Sequence, residues 1–167
     1  MKIYLSNLNE SWVVDRFKND WLTNNPTIST SSIKKSDIIW IIAPWTWKKI
    51  PKRQLKKKKV ICSIYHIDFS KFDGSERKEF YKRDQFVDIY HVISNKTAEQ
   101  LKTLTDKKIV PIPFWVDSGI WHELNNKSEL RDKYGFSKKE FIIGSFQRDT
   151  EGSDLISPKL IKGPDIF

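Results

Sequence analysis

Two basic side chains near the end of the chain have the type and position needed to hold a diphosphate. Arg148 and Lys162 follow a short apolar run, residues 141–143, and the segment Gly144-Ser145-Phe146. Such a run is typical of a buried parallel strand, and ligands of open α/β sheets bind at the carboxyl ends of such strands. A guanidinium and an ammonium placed there can neutralise adjacent phosphates. We therefore predict a strand over residues 141–146, followed by a diphosphate site made by Arg148 and Lys162.

A histidine and an aspartate follow another apolar run earlier in the chain. Residues 60–65, VICSIY, predict a buried strand, and His66 and Asp68 come directly after it. A histidine there can act as a base or as a hydrogen-bond donor to a substrate. The alternative is a partly buried histidine that satisfies hydrogen bonds at a strand end, and the residues alone favour this alternative slightly. His91, inside a predicted strand, is expected to pack or to bond backbone, and His122 has no predicted role.

A third candidate is the loop after the first predicted strand. Residues 6–11, SNLNES, precede the start of a predicted helix, which is a natural site for an anion. Asn9 and Ser11 are the candidate substrate-binding residues of this loop. The alternative is that they cap the helix that follows.

The order of these parts resembles that of the family 4 glycosyltransferases of the GT-B class (glycosyl transferases group 1). The motifs are Ile112-Pro113-Phe114-Trp115-Val116-Asp117, the run from Gly144 to Arg148, and Lys162-Gly163-Pro164-Asp165. In that family the first motif closes the first domain, and a short helix with a glycine stop follows. The other two motifs open the second domain. The resemblance covers the whole chain in layout, but its specific motifs lie in the last third.

The resemblance implies both a domain plan and an activity. The plan is a Rossmann-like acceptor-side domain over residues 1–122, a linker with a short helix over 123–140, and a truncated start of the nucleotide-sugar-binding domain over 141–167. The activity is transfer of a sugar, with retention, from a nucleotide-diphosphate sugar to a sugar or glycolipid acceptor, without a resident cofactor. Arg148 and Lys162 would bind the donor diphosphate, and His66 would lie beside acceptor and sugar. Related enzymes carry glycines in the loop that here is residues 6–11, which holds none.

Because one strand of the second domain is expected before the chain ends, we predict a truncated form. We expect this form to be inactive by itself and to self-associate through its unpaired strand. Two alternatives stay open for the function: a nucleotide-sugar epimerase on the same scaffold, or a non-enzymatic module that binds anionic surfaces.

Alternating apolar and amphipathic segments indicate an α/β fold. Such alternation predicts βαβ units, a Rossmann-like parallel sheet and helices on both of its faces. The predicted strands cover residues 2–5, 27–30, 37–43, 60–65, 89–93 and 109–117, and the predicted helices cover 12–22, 75–87, 95–104 and 128–135. Ser75 and Ser128 are the predicted helix caps, and Gly135 is the predicted stop of the last helix.

The net charge of +9 arises from the first third of the chain. Residues 1–60 hold 13 Lys and Arg against 4 Asp and Glu, whereas residues 61–167 hold 17 of each. Lysines beside tryptophans predict a peripheral contact with an anionic membrane, with nucleic acid as a weaker candidate. The alternative is a solvated face whose lysine content reflects A/T-rich codons. The residues of the predicted patch are Trp45, Trp47, Lys48, Lys49, Lys52, Arg53, Lys56, Lys57, Lys58 and Lys59.

Other site classes lack the residues they need. The single cysteine, Cys62, lies in an apolar run and is predicted to be a buried structural thiol. Three scattered histidines have no metal-ligand spacing. Neither a signal peptide nor an apolar run long enough to span a bilayer is evident, so we expect a cytoplasmic protein, peripheral on a membrane at most.

Overall fold

A computed structural model describes residues 1–6 and 13–144. The chain divides into two compact units, Met1–Trp121 and His122–Phe167. The first unit contains a parallel sheet in the order β1-β2-β3-β4-β5. Its strands are β1 (Ile3–Leu5), β2 (Ile38–Ile41), β3 (Lys59–Ile64), β4 (Ile89–Val92) and β5 (Lys108–Pro111), and its helices are α1 (Val13–Asn24), α2 (Lys52–Leu55), α3 (Gly74–Asp84) and α4 (Asn95–Lys102).

Helices cover both faces of this sheet, as the sequence predicts. On one face, here called the α1 face, Val14 and Phe17 of α1 pack against Trp40. The opposite face is covered by α2, α3 and α4, through apolar side chains that include Leu55, Phe80 and Leu101. Successive side chains of a strand point to opposite faces, so a parallel sheet enclosed in this way needs strands that are apolar throughout.

The two faces are covered because connections leave β1 in two directions. The backbone groups of Ile3 bond to residues 28 and 30, while the N–H of Ser6 bonds to Trp40 in β2. Alternate residues of a strand direct their N–H and C=O groups to opposite edges, so residues 28–30 lie on the outer side of β1. From β2 onward the sheet grows in the other direction. Right-handed crossovers then place α1 on one face and the later helices on the other.

Two aspartates extend the ladder at the amino-terminal end of the sheet. Asp37, before β2, donates its N–H to the carbonyl of Lys2 (2.8 Å) and accepts the N–H of Lys2 (2.6 Å). Asp88, before β4, makes the same pair of bonds with Val60 at 2.9 and 2.7 Å. Each carboxylate accepts a backbone N–H that has no bonding partner in the neighbouring strand. The strands therefore start in a defined register.

Several predicted boundaries need correction. The cap of α3 is Asp73, whose carboxylate accepts from the N–H groups of Ser75 and Glu76, so the prediction of Ser75 as the cap is wrong. Residues 27–30 form a single bridge between Ser29 and Ile3 instead of a strand. The strand predicted over 109–117 ends at Pro111. The N–H of Ile112 still bonds to the carbonyl of Val92, but the carbonyl of Ile112 bonds to the side chain of His91 instead of to a strand.

The second unit contains helix α5 (Lys127–Lys133) among its described residues. Gly135 ends it as predicted: it has φ 73°, its N–H bonds to Asp132, and the next N–H bonds to Arg131. Asn126 occupies the cap position, so the prediction of Ser128 there is wrong. Residues 141–144 form no strand, so the strand predicted over residues 141–146 is wrong in its described part. Phe141 is 90% exposed, since the described residues of this unit offer no neighbouring strand to pair with it.

We expect Asp88→Ala to lower the free energy of unfolding by about 2 kcal/mol, because it removes a charged acceptor from a part-buried backbone N–H. Urea unfolding of residues 1–167 measures this change. Asp106→Ala is the matched control, since Asp106 is exposed at the same end of the sheet. Equal stability of the two variants would show that the Asp88 bond does not hold the register.

Candidate functional site

The carboxyl end of the sheet between β1 and β2 is the topological switch point of the fold. The chain leaves β1 toward residues 28–30 and leaves β2 toward β3, so its connections diverge there. Ligands of open α/β sheets bind in the crevice that such divergence creates. We therefore take the carboxyl ends of β1, β2 and β3 as the candidate site.

Two buried hydroxyl groups join β1 to β2 at this point. The Thr46 hydroxyl lies 2.7 Å from the carbonyl oxygen of Ala43 and 3.0 Å from the Ser6 hydroxyl. Thr46 has one proton, which it donates to the carbonyl, so the Ser6 hydroxyl donates to Thr46. Both hydroxyl groups are buried and engaged, and this gives them a structural role. The predicted residues Asn9 and Ser11 lie outside the described residues.

His66 lies at the carboxyl end of β3 on an anchored backbone, with its own side chain exposed. The Tyr65 hydroxyl donates to the carbonyl of Ile42 at 2.8 Å, which ties this segment to the end of β2. Gln100 of α4 donates to the carbonyl of Ile67 at 3.1 Å. The residues on both sides of His66 are thus held while its imidazole remains accessible. This is the arrangement that a group acting on a substrate needs.

Asp68 shapes the loop that carries His66. Its carboxylate accepts from the hydroxyl of Ser70 (2.6 Å) and from the N–H of Ser70 (3.1 Å). These hydrogen bonds hold the pKa of Asp68 below its ordinary value, with smaller contributions from the charges of Lys71 and His66. The structure therefore brings the two predicted residues into one loop. Asp68 stays ionised there as part of a turn.

A chain of hydrogen bonds that the sequence analysis missed crosses the α1 face beneath this edge. The indole N–H of Trp40 donates to the hydroxyl of Ser63 at 2.9 Å, and Ser63 lies 2.9 Å from Nδ1 of His91. Nε2 of His91 lies 2.8 Å from the carbonyl oxygen of Ile112. The prediction that His91 bonds to a backbone group is confirmed. The signal available in the sequence was a serine and a histidine inside two otherwise apolar strands, and the register of the sheet pairs them.

Donor and acceptor capacities define the protonation of this chain. An indole nitrogen can only donate and a carbonyl oxygen can only accept. Ser63 must therefore accept from Trp40 and donate to Nδ1, which leaves the proton of His91 on Nε2. Burial lowers the pKa of His91, although the bond to Ile112 opposes this effect. His91 is thus a neutral residue that links β4 to the segment after β5.

Aromatic side chains close the α1 face above this chain. The ring of Phe114 stacks on Phe17 of α1 at 4.0 Å between centroids and on Tyr65 at 5.2 Å. Trp115 contacts the edges of Phe17 and Trp40. Residues 114–115, predicted as strand, instead form an aromatic cover. The cover fixes the end of β3 from which His66 extends.

Four predictions remain, on the donor-site cations, the cysteine, a metal site and a membrane span. Arg148 and Lys162 lie outside the described residues. Cys62 is buried as predicted, and burial raises its pKa to about 11, so it is no nucleophile at neutral pH. In the described ranges, no cluster of three or more His, Cys, Asp or Glu side chains could hold a metal ion, and none of the helices there has the length and apolar content to cross a bilayer.

The predicted tryptophan and lysine patch is not one surface. Trp47 is 5% exposed and packs on Phe86, so its predicted contact with a membrane is wrong. Trp45 is 45% exposed but lies in the Pro44–Lys49 turn that follows β2. Lys56, Lys57 and Lys58 precede β3 and Lys59 begins it, at the other end of the sheet. Lys48 pairs with Glu79 at 2.6 Å. The patch residues Lys49, Lys52, Arg53, Lys56, Lys57 and Lys59 are exposed.

We expect His91 to make folding sensitive to mild acid. The pKa of His91 is lower in the folded protein than in the unfolded chain, so the unfolded chain is protonated first as pH falls. The free energy of unfolding therefore decreases as pH drops from the ordinary histidine pKa toward the lower pKa of the folded state. Urea unfolding between about pH 7.5 and about pH 5 should show this loss, and His91→Gln should reduce it. His66→Gln, at an exposed histidine, is the control. An unchanged pH dependence in His91→Gln would contradict the assignment.

Comparisons with known proteins assign no family to this chain. No protein-family model matches it, and no curated protein matches it. The candidate site therefore depends on the fold and on the residues described above, with His66 as its exposed histidine at the carboxyl end of β3.

Proposed function

We propose that residues 1–121 form the acceptor-side domain of a retaining glycosyltransferase that uses a nucleotide-sugar donor. The observation that carries the proposal is the exposed His66 on an anchored backbone at the carboxyl edge, beside the switch point of a parallel sheet. Two further features support it. The Ile112-to-Asp117 motif follows the last strand of the first unit, and the second unit begins at His122, in the order that the resemblance implies.

In this proposal the first unit binds the acceptor. His66 contacts the acceptor hydroxyl or the transferred sugar, as a base or as a hydrogen-bond donor. Asp68 and Ser70 hold the shape of its loop. The Tyr65 bond to Ile42 keeps the loop against β2, so that little reorganisation is needed when a substrate arrives.

The donor side of the proposal depends on Arg148 and Lys162. A nucleoside diphosphate leaves with growing negative charge as the glycosidic bond breaks. Fixed cations stabilise that charge most in the transition state, and so they raise the rate more than they strengthen donor binding. The residues match the resemblance by type and spacing.

We expect His66→Ala to lower kcat by about 10²–10⁴-fold if His66 transfers a proton. The assay incubates the complete gene product with nucleotide-sugars and candidate sugar or glycolipid acceptors and follows release of the nucleoside diphosphate. His122→Ala is the matched control at another exposed histidine. A His66→Ala protein with full transfer activity would remove His66 from the mechanism.

A second experiment tests the proposed donor site. Lys162→Ala should reduce kcat by about 10²-fold or more with a smaller change in donor KM, because the lost contact is strongest when the leaving group carries its full charge. Lys159→Ala is the control for removing one lysine from the same segment. Conversion of the nucleotide-sugar to its epimer without any acceptor would instead identify an epimerase and would refute the transferase proposal.

A further inference from the structure

The excess positive charge gathers at the amino-terminal end of the sheet, opposite the candidate site. Among described residues, the segments that lead into the five strands hold nine lysines and three aspartates. The segments that leave the strands at the carboxyl end hold four lysines, Lys48, Lys49, Lys71 and Lys96, and three aspartates. The lysines of the first group, here called the lysine edge, are Lys2, Lys34, Lys35, Lys56, Lys57, Lys58, Lys59, Lys107 and Lys108.

Tertiary structure joins lysines that are far apart in sequence. Lys59 begins β3 and Lys108 begins β5, with β4 between them. The strands are parallel, so the lysine-rich loops before β3 and β5 lie at the same end of the sheet. A cavity of about 280 Å³ opens there, and its lining includes Lys56, Lys58 and Lys107 together with Phe86 and Asp88. Neighbouring parallel strands are about 4.8 Å apart, so five strands spread the lysine edge over roughly 19 Å.

Two of the three aspartates of this edge are engaged by the backbone. Asp37 and Asp88 accept N–H groups of the neighbouring strands, as described above. Lys58 donates to the carbonyl oxygens of Lys34 and Ser36, so one lysine is held in place at the centre of the edge. The surrounding lysines are exposed. Their mutual repulsion is relieved when an anionic partner is bound.

We propose that the lysine edge docks this protein on a bilayer that contains anionic lipids. Lysines are compact point charges, which suit a diffuse negative surface better than the paired contacts that arginine makes with single phosphates. Nucleic-acid surfaces commonly add aromatic side chains on which bases stack. Among the described segments of the lysine edge, the aromatic side chain at the surface is that of Phe86, which is partly buried and packs on Trp47, so it offers no free face for a base.

This orientation leaves the candidate site away from the lipid. The strands run from the lysine edge to the carboxyl ends, so docking through their amino-terminal ends leaves His66 accessible from solution. The inference does not depend on the proposed glycosyltransferase activity. Its test measures binding alone.

The experiment compares two double variants that each remove two positive charges from the full chain. Lys56→Gln with Lys107→Gln alters the lysine edge, and Lys71→Gln with Lys96→Gln alters exposed lysines at the carboxyl end. Lys58 is kept, because its bonds to carbonyl groups also stabilise the fold. Co-sedimentation is measured with phosphatidylcholine vesicles and with vesicles that also contain phosphatidylserine. Thermal unfolding of each variant verifies that it is folded.

We expect wild-type protein to bind the phosphatidylserine vesicles and to be released as salt rises from about 0.1 M to about 1 M. Each lysine near such a surface strengthens binding about fivefold, so the lysine-edge variant should bind roughly 25-fold more weakly. The carboxyl-end variant should stay close to wild type. Three outcomes would overturn the proposal: equal binding to both kinds of vesicle, equal loss in both variants, or binding to a DNA duplex without binding to vesicles.

Discussion

A parallel sheet has to be covered on both faces, and this constraint organises the first unit. Each strand here alternates apolar side chains between two sides, as Ile39 and Trp40 do in β2. Burial of both sides removes a large apolar area from water, which is the main favourable contribution to folding. Crossover helices supply the cover on one face. On the other, α1 is joined by Phe114 and Trp115, which fold back after the last strand.

Because the strands are parallel, the lysine-rich surface and the candidate site lie at different ends of the sheet. All five strands start at one end of the sheet and finish at the other. Lysine-rich connections enter the strands, whereas the loops that leave them carry Tyr65, His66 and Asp68. The candidate site and the excess of positive charge therefore lie at opposite ends of one domain. An anionic partner bound at the amino-terminal end would not compete with a ligand at the carboxyl end.

A chain of hydrogen bonds inside the α1 face connects the strands to the segment after β5. Trp40, Ser63 and His91 belong to three neighbouring strands, and the chain ends on the carbonyl of Ile112. Hydrogen bonds in a buried setting are strong when complete and costly when one partner is missing. This chain is complete, so it specifies how the strands and the aromatic cover align. The candidate site is built on that alignment.

The sequence by itself determined the five strands of the sheet, most of the helices and the burial of Cys62, because periodicity and apolar content are local properties. The sequence also predicted strands at residues 27–30 and 141–146 that the described residues do not form, because a strand needs a partner that lies elsewhere in the chain. It also predicted His66 at a strand end and Gly135 as a helix stop. Tertiary structure decided what depends on distant partners. Asp73 took the cap position expected of Ser75, and Trp47 was buried because Phe86 packs on it. Lys56 and Lys107 line one cavity because their strands, β3 and β5, are separated by β4 alone. The order of strands in a sheet brings such residues together, and no local sequence pattern contains that order.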